Sequence, residues 1–179
     1  MTRYKQLVVN TFILMFLLIF FSCKSDGTGK ENKPVKPGKK SLEQINKLLI
    51  EKDSERIKSY VSRRGWDMKV SESGLWYMVY KNGEGDFIKK GDFITYNYEV
   101  SLLDGTICYT SKGSGPKSFV VGKGGVEAGL EEGVLMLRSG SKARFILPPH
   151  LAYGLIGDEN RIPARAIIIY DMEILKINE

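Results

Sequence analysis

The chain has 179 residues, with 27 lysines and arginines against 21 acids, one histidine and two cysteines. So few histidines and cysteines offer neither a clustered metal site nor a disulfide framework, and a hydrophobic content of 42% excludes a chain disordered throughout. The formal charge of +6 is modest, and most of the excess lies in one Pro/Gly/Lys stretch rather than interleaved with aromatics, which argues against a nucleic-acid-binding face.

Residues 1–22 begin with the basic "MTRYKQ", run almost wholly apolar from Leu7 to Phe21 and end at Ser22 before Cys23. That order is a secretory signal with a small residue before a cysteine, and it resembles the lipobox of bacterial lipoproteins. The resemblance implies cleavage before Cys23 and acylation of its sulfur. Phe20 and Phe21 depart from the usual leucine and small residue, which leaves an uncleaved anchor as the alternative. The apolar run is short of the ~20 residues that span a bilayer comfortably. Either way the rest of the chain lies outside the cytoplasm. Cleavage removes Arg3 and Lys5 and no acid, so 25 basic residues face 21 acids and the net charge becomes +4. Residues 23–40 hold six lysines against one aspartate and one glutamate and read as a solvated, flexible tether. Such a coil holds a domain roughly 20 to 25 Å from its anchor, with lysines able to touch anionic lipid.

Residues 41–66 read as a helical extension. Ser41-x-x-Gln44 has the form of a capping box, and Leu42, Ile45, Leu48 and Leu49 recur at helical spacing. Ile57, Tyr60 and Val61 continue the stripe to Gly65. The pattern predicts one kinked helix or two short ones jointed at "EKDSE", packed on its own domain, with a dimer interface through residues 41–64 as the alternative.

Beyond Trp66 the period changes to two. "FITYNYEV" sends Ile94, Tyr96, Tyr98 and Val100 to one face, and "AIIIYDMEI" places Ile168, Tyr170, Met172 and Ile174 together. Leu75–Lys81, Ser118–Val121 and Lys142–Leu147 are further strand candidates. "VEAGLEEGVLML" is helical, with Val126, Leu130, Val134 and Leu137 on the side that presses against the sheet. The glycines of "VGKGGVEAG" fit a tight turn from strand to helix. They do not fit a phosphate loop, because Glu127 stands where the third glycine belongs and no GK[ST] follows. Residues 67–179 are thus an α+β domain of about 110 residues, enough for one core. Cys108, in apolar and aromatic surroundings, is expected to be a buried small hydrophobe. Between the last two strands lies "PHLAYGLIGDENRIPAR", too long for a plain connection and too apolar for disorder. Leu151, Tyr153, Leu155, Ile156 and Ile162 should pack it over something.

The order of parts from about Gly83 to Ile177, a strand with an inward tyrosine, "LDGT", "SFVVGKGGVEAGLEEGVLMLRSGSKARF", "LAYG", a loop and "IPARAIIIYDMEIL", resembles the FKBP-type peptidyl-prolyl cis-trans isomerases. The lipobox, "RRGW" and "GDEN" are most similar to the gliding-motility-associated lipoprotein branch of that family. The resemblance implies an FKBP-like antiparallel half-barrel sheet around one short helix. It also implies an aromatic cup for a proline ring: Leu130 as floor, Tyr98, Phe119, Val126, Ile162 and Tyr170 as walls, and the loop as flap. By the same route the Tyr153 hydroxyl and the Glu127 backbone N–H are the polar contacts to substrate. No cofactor or metal is needed, because the reaction breaks only amide resonance. Each aromatic has a plainer reading as core, Tyr153 least so.

Several positions depart from the family pattern. Cys108 and Tyr109 stand where phenylalanine and aspartate are usual, Glu127 replaces an isoleucine and Leu130 a tryptophan. Asp158 and Arg161 make the flap polar. These departures imply a shallower, more selective or slower cup. Two functions therefore stay open: an isomerase acting on exported prolyl polypeptides, or a module that holds such segments with little turnover. Lys24, in place of an aspartate after Cys23, favours the outer membrane, facing the periplasm.

Overall fold

The computed structural model describes residues 38–178, so the expected signal, the expected lipidation site at Cys23 and nearly all of the expected tether lie outside the described residues. Helix α1 spans Lys39–Arg64 without interruption. This corrects three expectations. The helix starts inside the expected tether, its N-cap is Gly38 with no side-chain cap in place of a Ser41 capping box, and "EKDSE" is not a joint. The sequence there contains no glycine or proline and is rich in Glu, Lys, Arg and Leu, so nothing favours a break. Asp53 instead turns inward, 5% exposed. Gly65 ends the helix in the left-handed region at φ 62°, and N–H groups of Gly65 and Trp66 return to Ser62 and Val61 carbonyls.

Seven antiparallel strands follow: β1 (Lys69–Val70), β2 (Trp76–Lys81), β3 (Phe93–Leu102), β4 (Ile107–Thr110), β5 (Lys117–Val120), β6 (Lys142–Leu147) and β7 (Ile168–Asn178). Their order is β1-β2-β6-β7-β3-β4, with β5 also paired to β3. The long β3–β7 ladder, Phe93–Leu102 against Asn178–Ile168, is the spine. Alternation on β3, β6 and β7 then divides the apolar residues between two faces. Ile94, Tyr96, Tyr98, Phe145, Leu147, Ile168, Tyr170 and Met172 build the main core with α2 (Ala128–Val134). Ile146 and Ile169 point the other way and meet Ile57, Tyr60 and Val61 of α1.

Helix α2 lies close on the sheet because two of its residues lack side chains. A Cβ on Gly129 would stand 2.7 Å from Leu147 and one on Gly133 2.8 Å from the Phe145 ring. The turn before it is built as expected: Gly122, Gly124 and Gly125 have φ of 81°, 75° and 90°, and the Glu131 carboxylate accepts from the Gly122 and Gly124 N–H groups at 2.6 and 3.0 Å. Only the second half of α1 packs on the domain. The expected packing of α1 on its own domain thus holds for Ile57, Tyr60 and Val61, while Leu42, Ile45, Leu48 and Ile50 are exposed.

Candidate active site

Three segments converge beside the start of α2: β5, the glycine turn and the first turn of the loop between β6 and β7. They enclose a cavity of about 650 Å³ lined by Tyr96, Lys117, Phe119, Val126, Glu127, Ala152, Tyr153 and Tyr170, with Ser118, Gly124 and Gly125. Strand alternation presents Tyr96 and Tyr170 to it from β3 and β7, and Phe119 from β5. Ring packing stiffens the wall: Tyr96 stands edge-on to Phe119, 5.8 Å apart at 89°, and Tyr98 lies tilted at 35° against Tyr170, 6.2 Å apart. A wider depression of about 860 Å³ between α1 and the end of the loop is walled largely by charged residues, including Lys52, Glu55, Arg56, Arg63, Asp104 and Arg165. It offers no comparable set of rings.

Five of the residues singled out from the sequence, Phe119, Val126, Glu127, Tyr153 and Tyr170, therefore share this lining. Tyr98, Cys108, Leu130 and Ile162 stand behind it in the same core, between 0% and 5% exposed. Leu130, expected as the floor, is wholly buried and is not among the residues that line the cavity, where the rings of Tyr96, Phe119, Tyr153 and Tyr170 are found. Tyr96 and Lys117 were not among the expected site residues. Tyr96 was legible as an inward position but indistinguishable from core, and Lys117 stood just outside the expected strand.

Burial, and then Glu127, by its charge at Tyr96 and Tyr170 and by a hydrogen bond as well as its charge at Tyr153, push the three hydroxyls well above the usual phenol range, so all three remain donors. The Tyr170 hydroxyl reaches Glu127 Oε1 at 3.5 Å. Glu127 caps α2: its carbonyl accepts from the Leu130 and Glu131 N–H groups, and its own N–H donates to no backbone carbonyl among the described residues. That N–H is available to a ligand.

The loop is a built structure. After a 3₁₀ turn, Pro149–Leu151, it folds over Asp158, whose Oδ1 accepts from the Asn160 and Ile162 N–H groups at 3.0 and 2.7 Å. Gly157, at φ 82°, brings the chain so close that a Cβ would meet the Ile162 carbonyl. Leu151 and Ile162 are buried as expected. Leu155 and Ile156 are not: at 69% and 75% exposed they form the tip. Three hydrogen bonds fasten the loop to β4, one of them from the Cys108 thiol to the Arg161 carbonyl at 3.5 Å. The Tyr109 hydroxyl donates to Asp158 Oδ2, and Arg161 donates to the Cys108 carbonyl at 2.9 Å. Tyr109 is thus a latch partner of the loop and is absent from the cup lining. Cys108 is buried as expected, and burial pushes its thiol up, away from the reactive thiolate.

An antiparallel sheet, a short packed helix, an aromatic cup and a latched loop after "LAYG" define the class. A family model described as FKBP-type peptidyl-prolyl cis-trans isomerase matches residues 84–175. The chain belongs to that family. It is 36% identical over 128 residues to a probable FKBP-type peptidyl-prolyl cis-trans isomerase, FkpA, of Neisseria meningitidis, covering 71% of this chain and 46% of the relative. It is 33% identical to FkpA of Aeromonas hydrophila, covering 87% and 62%. The chain therefore spans less than two thirds of the length of these relatives. Among solved structures it is similar to FkpA from Escherichia coli, with TM-score 0.62, 28% identity and 80% of this chain against 74% of that one. It is also similar to AtFKBP13, with TM-score 0.60 and 28% identity, covering 63% and 99%.

Proposed function

We propose that the protein accelerates cis–trans isomerisation of X-Pro bonds in exported polypeptides. The observation that carries this reading is the cup, a cavity of about 650 Å³ walled by aromatic rings, with the Tyr153 hydroxyl and the Glu127 N–H beside it. An X-Pro bond crosses ~18–20 kcal/mol because rotation breaks amide resonance. A twisted amide has a less polar carbonyl and less need of water, so a dry cup that grips the ring favours it over the planar ground state. A gain of ~10⁶ needs only about 8 kcal/mol of such differential binding. Tyr98, Cys108, Leu130 and Ile162 back the lining, and Tyr109 acts through the loop. In a prolyl-peptide turnover assay on the full chain, Tyr153→Phe should lower kcat/KM two- to tenfold, the worth of one neutral hydrogen bond of ~0.5–1.5 kcal/mol, with little change in the urea midpoint. Loss of stability without loss of turnover would make Tyr153 a core residue.

A second reading, a module that holds prolyl segments with little turnover, is favoured by the exposed Leu155–Ile156 tip and by the charge of Glu127 in the cup. The setting common to both readings is the bacterial envelope. The Leu7–Phe21 segment and Ser22-Cys23 support a lipid anchor at Cys23, with the domain held on its tether at the outer membrane, facing the periplasm. The same segment, with "RRGW" and "GDEN", supports the gliding-motility-associated branch. Intact mass of membrane-extracted protein tests the anchor: acylation should begin at Cys23 and vanish in Cys23→Ser. A mature start elsewhere would contradict it. The exposed apolar residues of α1 support contact with a second copy of the chain.

A further inference from the structure

Glu127 is an unusual residue for the wall of an apolar cup. It belongs to the cavity lining, yet the residue is only 9% exposed. A carboxylate offers about four acceptor positions. Glu127 receives a hydrogen bond from Tyr170 at 3.5 Å, the outer limit of such a bond, and the Tyr153 hydroxyl is turned to the same carboxylate. Tyr96 and Tyr153 share the lining, and both are neutral phenols that bring dipoles but no counter-charge. Among the described residues no lysine, arginine or histidine nitrogen forms an ion pair with it. The cation nearest in the lining is Lys117, whose ammonium is engaged elsewhere, 4.9 Å from the Tyr98 ring centroid and 5.9 Å from that of Tyr109.

A largely buried charge without a counter-charge is costly, and the cost is recovered when a cation arrives. The surrounding rings favour the same visitor, since their faces attract an ammonium or guanidinium. We infer that Glu127 is a specificity-determining residue, which makes the cup select prolyl segments carrying a lysine or arginine next to the proline. The inference rests on the cup being a prolyl site, and it adds the class of segment that the site takes. Chain entering the cup with its ring against Tyr96, Phe119 and Tyr170 places the neighbouring side chain along the wall that holds Glu127. A basic side chain there satisfies the carboxylate. A neutral one leaves it buried without a counter-charge, and an acidic one is repelled.

The test uses the full chain and matched prolyl peptides that carry lysine, norleucine or glutamate in turn at the residue before or after the proline. Both dissociation constant and isomerisation rate are measured, so slow turnover does not hide selectivity. At one of the two positions lysine should exceed norleucine by about tenfold, the worth of a charge-assisted hydrogen bond, and glutamate should fall below both. Glu127→Gln, which keeps size and hydrogen-bonding capacity, should bring lysine and norleucine within about twofold. If that variant does not fold, the ordering in the wild-type protein still decides. Equal handling of all three peptides by the wild-type protein would overturn the inference and leave the prolyl site standing. So would a lysine preference that emerged only in Lys117→Met, since Lys117 would then be the true counter-ion. Failure to bind or turn over any prolyl peptide would overturn the inference together with the reading beneath it.

Discussion

Tyr109 stands where the family pattern has an aspartate, and its hydroxyl reaches an aspartate that the loop supplies. Burial works against the charge of Asp158, but hydrogen bonds from Tyr109 and from the Ile162 and Asn160 N–H groups outweigh it and hold its carboxyl below the usual value of 3.8. A depressed carboxyl pKa contributes stability that is complete above the unfolded value and is lost as pH falls through the lower, folded one. The latch should therefore be whole at neutral pH and open only in acid below about pH 4. Hydrogen exchange of residues 154–162 checks this. Asp158→Asn should raise exchange there about tenfold at neutral pH, since hydrogen bonds to a charged group are worth ~1.5–3 kcal/mol. The variant should also lose the acid step, and a variant indistinguishable from wild type at every pH would remove the latch. None of this was legible beforehand. Tyr109 and Asp158 are 49 positions apart, and each alone reads only as a polar departure from a pattern.

At the scale of elements, the core strands and the short helix could be read from the sequence because alternation and helical spacing are what burial on one face requires. β1 and β4 were missed, since two and four residues carry too little pattern. The joint proposed in α1 failed for a different reason. Nothing within "EKDSE" shows that Asp53 has a partner 112 positions away, Arg165, which donates to it at 2.8 Å. Arg165 lies at the end of the loop with φ 57°, a left-handed conformation that a side chain seldom adopts without such support. Helix α1 thus straps the root of the flap. Asp53→Ala should destabilise the domain by about 1.5–3 kcal/mol in urea unfolding, because Arg165 is left half-buried without its carboxylate. A change under ~0.5 kcal/mol, the range of ordinary surface substitutions, would show that the strap carries no weight. Close packing of α2 offers a second check. Gly133→Ala should cost about 1–3 kcal/mol, as its Cβ meets the Phe145 ring.

For the whole molecule, apolar residues were expected to pack, and those that do not are the informative ones. Leu42, Ile45, Leu48 and Ile50 on α1, with Leu155 and Ile156 at the flap tip, remain exposed. On α1 these exposed residues underlie the proposed contact with a second copy of the chain. Leu48→Glu should then shift sedimentation of the full chain toward monomer, and an unchanged distribution would leave those residues to other partners. The central claim, that the cup catalyses rather than holds, is tested most directly by refolding a protein whose slow phase is an X-Pro isomerisation of tens to hundreds of seconds. Substoichiometric amounts of this chain should speed that phase in proportion to concentration, leave the refolded yield unchanged, and do so several-fold less with Tyr153→Phe. A phase that keeps its rate while its amplitude falls in proportion to bound chain would contradict catalysis and identify a holder.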